Sequence, residues 1–180
     1  MNIVVIVGSI KKDSLNRRLA RALQRLAPAE MQFDDVNLHD VPMFNPDDEH
    51  QAPAVVANIK ARIKAADGII FATPEYNRSI SAVLKNIIEW GTRPPGNNAF
   101  TGKPALLVGA SPGTLRTAPM QQHLKAVLLH VGLHVMPTPE VYLYGDHDLF
   151  SLDGAIADES VAKFLQSVMD NFTTHVQQFL

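Results

Sequence analysis

Cysteine is absent from all 180 residues. That single gap removes disulfides, zinc–thiolate sites and a thiol nucleophile together. Charge of either sign is scarce in excess: 16 Lys and Arg stand against 18 Asp and Glu, for a net charge of −2 and an isoelectric point near 6.4. Nothing in that balance drives the chain toward nucleic acid or a membrane surface. No apolar run approaches the ~18 residues that a membrane span needs. The first residues enter a strand-like run without a basic-then-apolar leader, so the expectation is a cytoplasmic protein. Two phosphate-loop signatures are missing as well. No Gly-Lys-Ser/Thr ending follows Gly8, and no G-x-G-x-x-G pattern occurs, which disfavours a Walker loop and a dinucleotide bound in the Rossmann manner. Hydrophobic content of 46% with 19% charge describes one globular domain over residues 1–180, without repeats or low-complexity segments.

What is present begins at once. Ile3-Val4-Val5-Ile6-Val7 is an unbroken run of branched apolar residues, which reads as a strand buried on both faces. Gly8 and Ser9 break it. Leu15, Leu19, Ala22, Leu23 and Leu26 then recur at helical spacing, predicting a helix from about Ser14 to Ala27 that stops before Pro28. A strand feeding a helix through a tight polar turn is a ready anion site, because the helix N-terminus offers unpaired N–H groups and the positive end of a dipole. Ser9, Lys11, Ser14 and Asn16 add side-chain donors to that turn, and Arg17 is the nearest of four arginines on the helix's outer face. With no cysteine to attack it, a phosphate held here is anchored rather than transferred.

The same alternation continues. Strands are expected at Met31–Leu38, Ile69–Thr73, Ala105–Ala110 and His134–Met136, the last with an extension toward Val141–Leu143; helices are expected at about Ala54–Ala66, Ile80–Trp90, Ala118–Val131 and Asp158–Phe179. Strand–helix repetition of this kind gives an α/β fold: a flavodoxin-like three-layer sandwich whose five-stranded parallel sheet runs in the order 2-1-3-4-5 with helices on both faces. Ligands of such sheets bind beyond the carboxyl ends of the strands, where strand order reverses. The polar turns after strands 1, 3 and 4 converge there. The acidic, proline-containing stretch His39–His50 reads as a loop without the glycine of a calcium site, with Met43 and Phe44 placed to cover a site or meet a partner. The seven histidines are scattered and read as surface or capping residues rather than metal ligands.

The turn after strand 3 is Pro74-Glu75-Tyr76-Asn77, followed by Arg78-Ser79; the turn after strand 4 carries Ser111, Gly113 and an unassigned Arg116. Glu75 and Asn77 suit a polar ring edge, Tyr76 a flat aromatic surface, and Gly113 a close backbone approach. A phosphate anchor, a polar ring edge and close walls together suit FMN. The reading open beside it is that Pro-Glu-Tyr-Asn is simply a turn.

Gly8-Ser9-Ile10-Lys11-Lys12-Asp13-Ser14-Leu15-Asn16-Arg17-Arg18-Leu19-Ala20 resembles the phosphate-binding signature of the NADPH-dependent FMN reductase family, which includes chromate and quinone reductases and azoreductase-like proteins. Thr73–Ile80, continuing through Leu84-Lys85-Asn86 to Glu89-Trp90, resembles its second signature, and the likeness extends to Val41–Asn45, Gly109–Gly113 and Pro139-Glu140-Val141. The resemblance implies that Ser9, Ser14, Leu15 and Asn16 hold the FMN phosphate, that Pro74, Glu75, Tyr76 and Asn77 contact the isoalloxazine with Ser79 nearby, and that Ser111 and Gly113 close the site. Lys11 stands where the family usually has arginine; it keeps the charge and loses the planar fork. No side chain is expected to act as acid or base. The implied activity is ping-pong: electrons pass from NAD(P)H through bound FMN to quinones or similar small acceptors, with chromate, azo compounds and free flavin as further candidates. A flavodoxin-like electron carrier is the alternative, disfavoured because such carriers are strongly acidic. The family also implies a homodimer or homotetramer; Met43, Phe44 and the Trp90–Asn98 loop are the candidate contacts in this chain, and Arg93 and Glu140 are expected to pair in charge between subunits.

Overall fold

The computed structural model describes residues 1–180. Its elements in chain order are β1 (Asn2–Val7), α1 (Leu15–Leu26), β2 (Gln32–Val36), α2 (Ala54–Ala65), β3 (Gly68–Ala72), β4 (Glu75–Tyr76), β5 (Ser79–Ile80), α3 (Ala82–Thr92), β6 (Pro104–Ser111), α4 (Ala118–His130), β7 (His134–Val135), β8 (Val141–Tyr144) and α5 (Glu159–Gln177). One parallel sheet runs in the order β2-β1-β3-β6-β7, and β8 also pairs with β6. β7 takes the start of β6, at Pro104 and Ala105, and β8 its end, from Val108 to Ser111. The fifth position of the expected 2-1-3-4-5 order is therefore filled by two short segments, with residues 136–140 leaving the sheet between them. Pro137 and Pro139 fall in that gap, and neither can donate to a ladder.

Alternate residues of each strand face opposite layers. Val4 and Ile6 join Val56, Ile59, Ile87, Leu124 and Leu128 in one core beneath α2, α3 and α4. Ile3, Val5 and Val7 join Leu19, Leu23, Leu165, Met169 and Phe172 in the other, beneath α1 and α5. This is why the strands read as unbroken apolar runs: both faces are covered.

Three local features depart from the sequence reading. The segment after β3 is a hairpin, β4 with β5, joined by Asn77 and Arg78 at φ 49° and 65°. Two positive φ values in a two-residue connection are what a tight antiparallel hairpin needs, and Asn tolerates that conformation better than most residues. The helix expected from Ile80 consequently starts at Ala82, with Ser81 as its N-cap, its hydroxyl accepting from Leu84 N–H. The stretch Pro46–Gln51, expected as a loop, forms a short 3₁₀ helix of 6 residues capped by Asn45.

The loop before it is pinned to α3. Asn86 accepts from Phe44 N–H and donates to Pro42 O, both at 2.8 Å, and Trp90 Nε1 donates to the same carbonyl. Phe44 packs edge-on against Trp90, with ring centres 5.0 Å apart. Phe44 is thus committed to its own chain, whereas Met43 remains 74% exposed.

Candidate active site

The carboxyl ends of β1, β3 and β6 meet at unusually close range. A Cβ on Gly8 would lie 2.2 Å from Thr73 Oγ1, and one on Gly109 would lie 2.4 Å from Thr117 Oγ1 and 2.8 Å from the Thr73 carbonyl. Only glycine lets these strand ends approach so closely. The turns that leave them enclose a cleft of about 240 Å³.

From the first turn, Ser9, Lys11, Ser14, Leu15 and Asn16 line this cleft. Ser14 is the N-cap of α1, its hydroxyl accepting from Arg17 N–H. The N–H groups of Leu15 and Asn16, at the first two helical positions, have no acceptor within the helix. Ser9 and Ser14 are buried, and Lys11 is exposed at the mouth. Asn16 is placed differently from its expected role. Its side chain donates to Ala110 O at 3.1 Å and accepts from Ala110 N–H at 2.9 Å. The amide clamps α1 to the end of β6 and has only one N–H left for a ligand. Arg17 does not reach the cleft: its guanidinium donates to Ser9 O at 3.1 Å.

From the hairpin, Pro74, Glu75 and Tyr76 line the cleft. Tyr76 is 52% exposed and presents its ring at the rim. The Glu75 carboxylate, expected to meet a ring edge, is engaged elsewhere. One oxygen accepts from Met120 N–H at 3.0 Å, at the N-terminus of α4, and the other from Arg78 at 3.2 Å. The positive end of the α4 dipole draws the carboxylate there, so its backbone is what Glu75 offers the cleft. Asn77 and Ser79 do not line it. Asn77 sits in the hairpin turn, and the Ser79 hydroxyl lies 3.0 Å from His123 Nδ1.

The third turn contributes Ala110, Ser111 and Pro112. Gly113 is outside the lining; its N–H donates to Ser111 Oγ, fixing that hydroxyl's position. Arg116, unassigned from sequence, adopts φ 56° and donates to Tyr142 O, tying the turn to β8.

Two lining residues went unnoticed in the sequence, Asp146 and His147. They follow β8, whose carboxyl end abuts the third turn through Ser111 and Tyr144. The signal that would have found them is the position of this loop after the fifth strand. Arg18 holds the loop in place, donating to His147 O and Phe150 O and gripping Asp13 with two bonds, all at 2.8 Å. The guanidinium keeps the Asp13 carboxyl below the usual carboxylate range.

A larger groove of about 640 Å³ runs between α3 and α4, past Lys85, Ile88, Glu89, His123 and Val127. It has no free helix N-terminus and no paired serines, the two features that make the smaller cleft the candidate anion site. Arg93 and Glu140 each have a partner within the chain: Arg93 lies 3.9 Å from Glu49, and Glu140 pairs with Lys125. No group of His, Asp and Glu side chains is arranged to hold a metal, and no helix is long and apolar enough to cross a membrane.

Sheet order, helix layers and a phosphate-type cradle at the strand-order reversal define a flavodoxin-like protein. Comparison with known proteins narrows that class. A family model described as NADPH-dependent FMN reductase matches residues 1–148. The chain is 38% identical over 98% of its length to a 2-hydroxy-1,4-benzoquinone reductase of Burkholderia, spanning 97% of that protein. It is 37% identical to a quinone reductase of Pseudomonas putida, over 98% of this chain and 95% of that one. Among solved structures, FerB, a flavoenzyme NAD(P)H:(acceptor) oxidoreductase from Paracoccus denitrificans, superposes with a TM-score of 0.93 at 42% identity, covering 99% of this chain and 98% of FerB. The chain belongs to the NADPH-dependent FMN reductase family, and is an NAD(P)H-dependent oxidoreductase that uses FMN.

The donor set fits that cofactor: unpaired amides, two buried hydroxyls and an ammonium at one end, an exposed aromatic ring at the other. Asn16→Ala strips the buried Ala110 N–H and C=O of their partners. The unfolding free energy of the apoprotein should fall by about 1–3 kcal/mol, measured by urea denaturation. An unchanged midpoint would mean that the clamp is not what holds α1 to β6.

Proposed function

We propose that the protein reduces quinones and related small acceptors with electrons from NAD(P)H, by a ping-pong route through FMN held in the cleft between the three turns. The observation that carries this reading is the convergence of the α1 N-terminus, the Pro74–Tyr76 hairpin and Ser111 on one cavity at the strand-order reversal. When bound, FMN supplies two-electron acceptance from nicotinamide and two-electron release to a second acceptor. The protein's part is to bind and orient. Leu15 and Asn16 N–H, Ser9 and Ser14 meet the phosphate with fixed dipoles, and Lys11 adds charge at the mouth. The backbone of Pro74 and Glu75 forms a wall held rigid by the Glu75 contact to α4. Tyr76, at the rim, offers a stacking surface to whichever flat substrate enters. One open face serving both substrates in turn requires the first to leave before the second binds. The names of relatives from Burkholderia and Pseudomonas putida support a quinone as acceptor. A cytoplasmic setting suits an enzyme that draws on NAD(P)H.

Purified protein reconstituted with FMN should show visible flavin bands that bleach on anaerobic addition of NADPH and return with 1,4-benzoquinone. Double-reciprocal plots of initial rate should be parallel. Intersecting lines would contradict the ping-pong order, and bands that NADPH leaves unbleached would point to an electron carrier.

We also infer a homo-oligomer, dimer or tetramer, in which a second copy packs on the groove between α3 and α4. The groove's size, its apolar floor of Ile88, Val127 and Val131, and its place beside the hairpin support this. Light scattering should give a multiple of the 19.7 kDa chain mass, and Val127→Glu should lower it to a single chain; a wild-type monomer would overturn the inference.

A further inference from the structure

The cradle is short of positive charge for the dianion it is built to hold. Lys11 is its one permanent cation, since Arg17 is turned away onto Ser9 O and Arg18 is spent on Asp13 and two carbonyls. Asp146, on the lip, adds a negative charge. A phosphate there needs a second cation, and one further side chain in the lining is of a type that can become one.

That side chain is His147. Its Nδ1 is buried and makes no hydrogen bond, although it lies 3.5 Å from Asp13 Oδ1. Its backbone carbonyl is held by Arg18, which also grips Asp13. The three residues form a fixed bracket: Arg18 keeps Asp13 ionised, Asp13 faces Nδ1, and Nε2 is left as the second donor of a residue that lines the cleft. An imidazolium in this position satisfies both sides at once, with one N–H toward a carboxylate and one toward an anion. The charged groups around the ring are Asp13 and Lys11 from the first turn, Arg18 from α1, Asp146 and Asp148 from its own loop, and Glu75 across the cleft. Asp13 is spoken for by Arg18, Glu75 by α4 and Arg78, and Asp148 is exposed to water.

We propose that His147 is a phosphate-binding residue of the cofactor site, which becomes an imidazolium bridging Asp13 and the FMN phosphate and makes cofactor affinity depend on pH. It supplies the second cation that Lys11 alone does not. The assignment rests on the cleft being the FMN site. The contact needs the protonated ring, so it is strongest at acid pH and weakens as the imidazolium loses its proton.

The test is equilibrium binding of FMN, and of riboflavin, which lacks the phosphate, to apoprotein from about pH 5.5 to about pH 8.5. Flavin fluorescence quenching reports the affinity. His147→Gln should bind FMN about tenfold more weakly than wild type at the acid end and nearly equally at the alkaline end, with riboflavin unchanged throughout. Comparing variant with wild type at each pH cancels the phosphate's own ionisation near about pH 6. His147→Arg should keep the acid-end affinity and carry it to the alkaline end. Lys11→Gln should weaken FMN at every pH. If His147→Gln follows wild type at all pH values while Lys11→Gln is weakened, the cradle stands and the His147 assignment falls. The assignment also falls if His147→Gln loses riboflavin as much as FMN, since that is a structural effect. If both variants bind FMN as wild type does, the cleft is not the phosphate site at all.

Discussion

The site depends on one buried amide. Asn16, at the second position of α1, exchanges two hydrogen bonds with the backbone of Ala110 at the end of β6. β1, which leads into α1, is separated from β6 by β3, which pairs with both, so the sheet ladder links the first and third turns only through the strand between them. The Asn16 clamp joins them directly. It places free N–H groups opposite Ser111 and leaves the hairpin as the third wall. Gly8 and Gly109 make this possible from below, since a side chain at either would push the strand ends apart. A functional cleft in this fold is the space that the clamp and the missing side chains leave between them.

Each wall is then made rigid by a polar group that does not face the ligand. Glu75 anchors the hairpin on the α4 N-terminus, Arg116 ties the third turn to β8, and Arg18 ties the β8–α5 loop to the first turn. A site whose redox chemistry is supplied by a bound cofactor needs this kind of support. The redox chemistry belongs to the cofactor, so position and electrostatics are what the chain contributes.

Much of this was legible in the sequence. Unbroken apolar strands, 3.6-residue periodicity and the polar turns after strands 1, 3 and 4 gave the layers, the strand order and the edge where the cleft lies. What was not legible shares a cause. Whether Asn16 faces a ligand or a carbonyl 94 residues away depends on distances between elements, which no local pattern encodes. Glu75 reads as a ligand contact until α4 is placed beside it. Asn77-Arg78 lacks the glycine that usually marks a two-residue hairpin, so β4 and β5 passed as a turn. His147 lies in a loop of aspartates that reads as solvent-exposed, and its one signal, the place of that loop after the fifth strand, is topological rather than local.

The proposed cofactor site turns on whether the α1 N-terminus receives the phosphate. The most direct measurement is the amide ¹H–¹⁵N spectrum of the apoprotein during titration with FMN. The N–H signals of Leu15 and Asn16 should move furthest downfield as they gain a phosphate acceptor, with Ser111 and His147 shifting alongside. Shifts concentrated at Ile88, His123 and Val127 in the α3–α4 groove, with Leu15 and Asn16 unmoved, would contradict it.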